Sequence, residues 1–429
     1  MSPSDAGSVE VSIRTIQECI VCKANQLVNV LDLGEQYVID FVDDVRANSD
    51  NFKAPLVLAL CTKCGLVQLK HAVPRDIMYR KYWYRSGVSP LMTRALRDVV
   101  ASAEKAVELK PNDVVVDIGA NDGTLLRQYT RRDLRFVGFE PAANLVEFAR
   151  DAGDIINDYF NAAAFFKVCP NRKARIVTAV AMFYDLEDPN RFLQDIKNVL
   201  DLDGLFLIQM NYLGTMLERN TFDNICHEHL AYYSIRTLCF LLKKNDLEAF
   251  DVQLNDINGG SFRVYVRHKG SQIGGRVSAD VRRLVRIEDE KGLDQVGPYA
   301  QFANNVTEIR RKLYHFISHE VRNRKRIYII GASTRGNTIL QYAGIDKQLI
   351  VAAADRNSEK WGKHIIGTGI PIVSKEQARR ENPDYFLVLP YGFLDEIKNE
   401  EVEYLRSNGK FIVPIPFPYV VSEDGEFPI

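Results

Sequence analysis

No stretch of the 429-residue sequence approaches the roughly 18 consecutive apolar residues that a membrane-spanning helix needs. Residues 1–11 are polar and acidic and lack the apolar core of a secretory signal, so a cytoplasmic protein with no membrane partner is expected. An excess of charge of one sign is missing too. The 55 Lys and Arg stand against 56 Asp and Glu, for a net charge of −1. That balance offers no electrostatic footprint for wrapping nucleic acid, and any anionic ligand has to be held by local groups. Internal repeats and low-complexity tracts are also lacking. With 46% hydrophobic and 26% charged residues the composition is that of a folded globular chain. The length exceeds one hydrophobic core and suits two or three domains, as a monomer or small homo-oligomer.

Cysteine is sparse, but four of the seven stand in two close pairs, Cys19-x-x-Cys22 and Cys61-x-x-Cys64. Each spacing puts two thiolates on one tight turn, and two such turns supply the four sulfurs of a tetrahedral zinc site. A full cysteine set leaves no open position, which argues for structural rather than catalytic metal. The plainer alternative is two unrelated redox or buried pairs. Cys169, Cys226 and Cys239 are scattered.

Three regions differ in pattern. Residues 1–89 hold both cysteine pairs with little periodicity between them, as expected where a metal substitutes for a core. Residues 90–275 alternate apolar runs at 114–118, 135–140, 155–157, 175–181 and 205–210 with segments of helical spacing, and 262–268 reads as a further strand. That is the pattern of a doubly wound α/β sheet. Residues 276–429 begin with a charged helical connector over 281–323. Strands at 325–330, 349–354, 385–389 and 410–414 follow, with a helix at 337–343, so a smaller Rossmann-like α/β domain closes the chain.

The run from Val114 through Asp117, Gly119 and Gly123 places an acid at the end of an apolar strand and two glycines ahead of an expected helix. Glycine lets a backbone approach a ligand closely, and helix-start amides favour a carboxylate. The spacing differs from the G-x-G-x-x-G of dinucleotide sites. It resembles the first motif of class I S-adenosylmethionine-dependent methyltransferases, which implies that Asp117, Gly119, Ala120, Asn121, Asp122 and Gly123 cradle the methionine part of that cofactor. Glu140, followed by Pro141, ends the second strand where a carboxylate accepts ribose hydroxyls; a solvated strand-end acid is its plainer alternative. Asp158 and Tyr159 are placed beside the adenine, and Met182 and Phe183 on the far wall.

After the fifth strand Cys226, His227, Glu228, His229, Tyr232 and Tyr233 crowd into one short segment. Titratable groups this dense at a strand end are candidates for acid–base chemistry. A metal site and a structural network are the alternatives.

These motifs in their order resemble the three-domain nucleotide-sugar C-methyltransferases: the two cysteine pairs, Tyr82-Trp-Tyr84-Arg-Ser86, the Asp117 loop, Glu228-His229, Asn258-Gly-Gly260-Ser, and Gly331-Ala-Ser333-Thr-Arg335-Gly-Asn337. The resemblance implies methylation of a carbon next to the ketone of a nucleotide-linked keto-deoxysugar, with S-adenosylmethionine and structural zinc. It implies His229 as general base and Glu228 as orienting or sugar-binding, with His227 and Tyr184 beside them. Tyr84 and Ser86 fall to the cofactor. Tyr82, Cys226, Tyr232, Asn258, Gly260, Ser333, Arg335 and Asn337 fall to the substrate. Sugar C-3 methyltransferases of this family carry tyrosine where this chain has Cys226 and histidine where it has Tyr184, which bears on the sugar and the carbon attacked. The Gly331 turn could hold phosphate, or be a helix-packing turn with no ligand. Methylation of another ketone, of oxygen or of nitrogen, and an inactive zinc-scaffolded binding protein, are the competing functions.

Overall fold

The computed structural model describes residues 12–38, 41–43 and 52–429; the polar start at 1–11 lies outside them. Between the cysteine pairs the chain is more regular than its pattern suggests. Leu27–Tyr37 and Lys53–Cys61 form a long antiparallel pair. The inward Leu56, Leu58 and Leu60 are almost wholly buried, so this region has an apolar core beside the cysteines. Val67–Leu69 joins the pair, and the outer strand on that side is Ala231–Tyr232, from the segment that carries Glu228 and His229.

Pro90 opens the helix Pro90–Ala106 behind Ser89, whose hydroxyl accepts from the Met92 amide at 3.3 Å. The buried stripe Met92, Leu96, Val99, Val100 and Ala103 lays it on the central sheet. Among the described residues that sheet has seven strands, ordered Leu247–Asn255, Ser261–His268, Leu200–Asn211, Ala174–Val180, Val114–Ile118, Arg135–Phe139, Asp154–Ile156. The last five are mutually parallel, and Ser261–His268 runs antiparallel to both of its neighbours. Val114–Ile118 lies in the middle and is buried along its whole length, which is why it reads as one continuous apolar run.

One expectation is corrected next to this strand. No α-helix follows the Gly119–Gly123 loop; the chain passes through turns into the short 3₁₀ segment Leu126–Gln128. The loop's shape comes from its own left-handed residues, Gly119 at φ 74° and Asn121 at φ 53°. The connector read over 281–323 is two helices, Ala279–Glu290 and Val296–Arg322, parted at Gly292 with φ 63°.

The last sheet has a parallel core of Lys410–Val413, Tyr385–Val388, Ile327–Ile330, Ala353–Asp355 and Ile370–Ser374. The strand expected at 349–354 is shorter and later, Ala353–Asp355. At one edge His364–Ile365 pairs with Phe41–Val42 from the N-terminal region. Among the described residues no helix is long and apolar enough to cross a membrane.

Candidate active site

The four cysteines of the two pairs meet, their sulfurs all within 4.8 Å of one another. Cys19 and Cys64 are 3.5 Å apart and Cys22 and Cys61 3.6 Å, sulfur to sulfur. Tetrahedral zinc with Zn–S near 2.3 Å spaces its sulfurs about 3.8 Å apart, so the donor set fits the ion without rearrangement. Burial pushes the Cys61 thiol up to about 11, a displacement that a divalent cation reverses.

A cavity of about 860 Å³ opens at the C-terminal ends of the parallel strands, where ligands bind in such sheets. Its wall takes residues from all three regions. On one side, Asp117, next to last in its strand, accepts from the Thr178 hydroxyl at 2.6 Å; burial pushes its carboxyl up to about 7. Gly119, Ala120 and Asn121 continue this wall. A Cβ on Gly119 would stand 3.3 Å from the Met182 side chain, also in the wall, so a side chain there would narrow the cradle. Both oxygens of Glu140 accept backbone amides, from Asn121 and Ala142 at 2.8 Å each. The carboxylate is thus aimed by main chain, with lone pairs left over on both oxygens.

A strap from the N-terminal region closes over this half. Asn121 accepts from the Ser86 amide and donates to the Tyr84 carbonyl, both at 3.0 Å, while Asp122 accepts from the Gly87 amide at 2.9 Å. Tyr82, Tyr84 and Ser86 thereby join the wall. At the mouth Tyr159 lies between Arg75 and Arg80, ring centroid 4.0 and 4.8 Å from the two guanidiniums, and Asp158 faces Arg80 at 3.5 Å. Pro141 sits beside them in the wall.

At the far end the segment after Phe222–Asn224 turns tightly, with the His229 amide donating to the Cys226 carbonyl, before entering the Ala231–Tyr232 strand. His229 Nδ1 lies 2.7 Å from the Asn224 carbonyl, which also accepts from the Tyr232 hydroxyl at 3.3 Å. A carbonyl only accepts, so Nδ1 carries the proton and Nε2 presents its lone pair. Burial holds the imidazole down to about 3, neutral at working pH. The Tyr184 ring packs on it at 4.2 Å. Glu228, pushed up to about 7 by burial, accepts from the Tyr82 hydroxyl at 3.1 Å, and its carbonyl accepts from Tyr79 at 2.6 Å. The C-terminal domain contributes Arg335, which pairs with Asp223 at 2.6 Å and donates to the Asn258 carbonyl at 2.9 Å. Its Nε has no partner within the protein.

Several residues singled out by sequence stand outside the wall. His227 turns away, its Nε2 2.9 Å from the Ala54 carbonyl, with burial holding it down to about 4; the tight turn separates the two histidines. Phe183 is wholly buried against Phe192, Phe206 and Tyr233, so it is core rather than a cofactor wall. Asp122 serves the strap, and Gly123 is a packing glycine whose Cβ would clash with Ala152 at 2.7 Å. Gly260 presses on Thr215 in the same way. Ser333 caps its helix by accepting from Gly336, and buried Asn337 donates to the Ile366 carbonyl, so that turn serves helix packing at these two positions. Cys226 lies behind the wall with its sulfur within 4.8 Å of Glu228 and His229, and Tyr232 acts through the Asn224 carbonyl. Sequence reasoning missed Arg75, Tyr79, Asp185 and Asn211 in the wall and Asp223 beneath Arg335. Asp185 follows the fourth strand, and the strand-end rule that singled out Glu140 would have found it.

Three family comparisons cover the chain in order: a zinc binding domain over residues 19–79, a methyltransferase domain over 89–252, and a C-methyltransferase C-terminal domain over 256–416. The chain is 30% identical to the C-methyltransferase NovU of Streptomyces niveus over 96% of its own length and 98% of that protein's. Among solved structures it is similar to an S-adenosylmethionine-dependent methyltransferase from Clostridium acetobutylicum, 11% identical with a TM-score of 0.33 over 42% of this chain and 92% of that one. It is likewise similar to magnesium protoporphyrin IX methyltransferase from Synechocystis, 13% identical with a TM-score of 0.31 over 41% and 79%. The chain belongs to the three-domain C-methyltransferase family, as an S-adenosylmethionine-dependent enzyme with a zinc-binding N-terminal domain.

Proposed function

We propose that the protein methylates the carbon next to the ketone of a nucleotide-linked keto-deoxysugar, with His229 as general base. The observation that carries this reading is the unpartnered Nε2 of a neutral, rigidly held imidazole in the wall of a cavity that also holds the Glu140 carboxylate, aimed by main-chain amides. A base is superfluous for methylating a strong amine nucleophile, whereas a C–H bond beside a carbonyl has to lose its proton before its carbon can attack. Bound S-adenosylmethionine supplies an electrophilic methyl group on sulfonium. Asp117, the 119–121 loop, Glu140 and Met182 would hold that cofactor, with Asp158 and Tyr159 at its adenine end and the strap shielding it from water. Arg335, with its unpartnered Nε, and Asn258 would meet the sugar nucleotide from the C-terminal side. Glu228 lies within reach of His229 and, once ionised, favours the imidazolium that forms.

The test is product analysis. Incubation with S-adenosylmethionine and a panel of nucleotide-linked 4-keto-deoxysugars should give a product carrying the new methyl on carbon, identified by mass spectrometry and NMR. A methyl on oxygen or nitrogen would reject the proposal. The cofactor half has its own expected result: Glu140→Ala should weaken S-adenosylmethionine binding by about 1–3 kcal/mol, because two hydroxyls lose a charged acceptor. Unchanged affinity by calorimetry would reject that assignment.

A further inference from the structure

Asp185 closes the turn Phe183–Asp185 after the fourth parallel strand, lines the cavity, and has no part in the chemistry above. Its Oδ1 is enclosed and has no hydrogen-bond partner within the protein. An enclosed carboxyl oxygen left unpaired is unfavourable until a hydrogen-bond partner completes it. The titratable groups that act on it or feel its charge are Glu228 and Cys226 on the 226–229 turn, Tyr79 and Tyr82 from the N-terminal region, and Tyr184 and Tyr232. None of them is a cation, and Arg335 is already paired with Asp223. Burial first, and the Glu228 charge second, hold the Asp185 carboxyl well above the usual carboxylate range. Enclosed, with no cation or hydrogen-bond donor to hold a charge on it, the carboxyl favours its protonated form, in which it is a hydrogen-bond donor rather than a base.

We propose that Asp185 is a further catalytic residue, whose carboxyl O–H donates a hydrogen bond to the ketone oxygen as that oxygen gains charge. The inference rests on the reading of the reaction as proton loss beside a ketone. In that step the C–H bond breaks and its proton goes to His229 Nε2. The bond's electron pair becomes the C=C bond, and the carbonyl π pair moves onto oxygen. Asp185 keeps its own proton and stabilises the oxyanion, while Tyr184 in the same turn fixes the His229 ring. Base and oxyanion donor thus flank one end of the cavity from two different elements.

The full-length, zinc-loaded protein carrying Asp185→Ala or Asp185→Asn tests this with S-adenosylmethionine and whichever nucleotide-linked 4-keto-deoxysugar the parent methylates. Asp185→Ala is expected to lower kcat by about 10²- to 10³-fold, as removal of one oxyanion donor does, with unchanged cofactor affinity. Asp185→Asn keeps a donor of the same shape and should stay within about tenfold of the parent. Turnover of Asp185→Ala within about threefold of the parent would overturn the role, as would Asp185→Asn being as slow as Asp185→Ala, since the group would then have to ionise. Carbon methylation with either of those results overturns the role of Asp185 alone. A methyl found on oxygen or nitrogen, or no keto-sugar accepted, overturns it together with the proposed reaction.

Discussion

His229→Ala should lose about 10²- to 10⁴-fold in turnover while binding S-adenosylmethionine as tightly as the parent. The separation follows from the geometry. His229 stands on the 226–229 turn and is tied to the Asn224 carbonyl, whereas the groups expected to hold the cofactor stand on the 119–121 loop and at Glu140, tied to each other and to the strap. Removing the imidazole leaves the second set intact. Burial keeps the ring unprotonated down to about 3, so the neutral base is present throughout the working range and its own titration should not appear as an acid limb above that value. Glu228 and Asp117, both pushed up to about 7, ionise in that range, and of the two Glu228 is the one beside His229. Glu228→Gln should therefore be slower than the parent but faster than His229→Ala, and should flatten the rise in rate through pH 7. Calorimetry for affinity and steady-state rates across pH read out both halves. Near-normal turnover of His229→Ala would remove the histidine from the reaction.

The parts of this site that were legible in sequence are those built by local pattern. The strand Val114–Ile118 falls where its apolar run places it, because a central parallel strand is buried on both faces and has no reason to alternate. Asp117 and Glu140 were found by their position at strand ends, a rule that follows from the sheet and needs no knowledge of the partner strands. What was not legible depends on residues far apart in sequence. Leu27–Tyr37 and Lys53–Cys61 are separated by residues 38–52, too many for the tight turn whose chemistry marks a hairpin in sequence. Pairing of Ala231–Tyr232 with Val67–Leu69, or of Phe41–Val42 with His364–Ile365, leaves no mark in either segment alone. His227 and His229 look equivalent on paper. Only the turn between them, clamped at one side by the Ala54 carbonyl and at the other by the Asn224 carbonyl, sends one into the zinc-bearing region and the other into the cavity.

Those long-range ties give the zinc a larger expected effect than a remote structural ion would have. From sequence, loss of the metal should unfold the N-terminal region without removing a catalytic group. In the structure the region is part of the site: Tyr82 donates to the Glu228 carboxylate, Tyr79 to its carbonyl, and the strand next to His229 is hydrogen-bonded to Val67–Leu69. The cysteine turns themselves are anchored on the central domain, since Asn190 donates to the Ile20 and Val21 carbonyls, Lys244 to Val21, and Thr237 to Cys64. Metal binding is folding free energy in sites of this kind, on the order of 10 kcal/mol for small zinc modules. Chelation, or Cys61→Ser, should therefore abolish turnover by at least about 10²-fold by releasing both the strap and the acid–base turn. Amides of Lys53–Cys61, Val67–Leu69 and Ala231–Tyr232 should lose their protection against hydrogen exchange together, while Val114–Ile118 at the centre of its own sheet keeps its protection. Metal analysis should return one zinc per chain. Clearly less than one, or a Cys61→Ser protein with full activity and unchanged exchange at 231–232, would show that the four thiols hold the region without the ion.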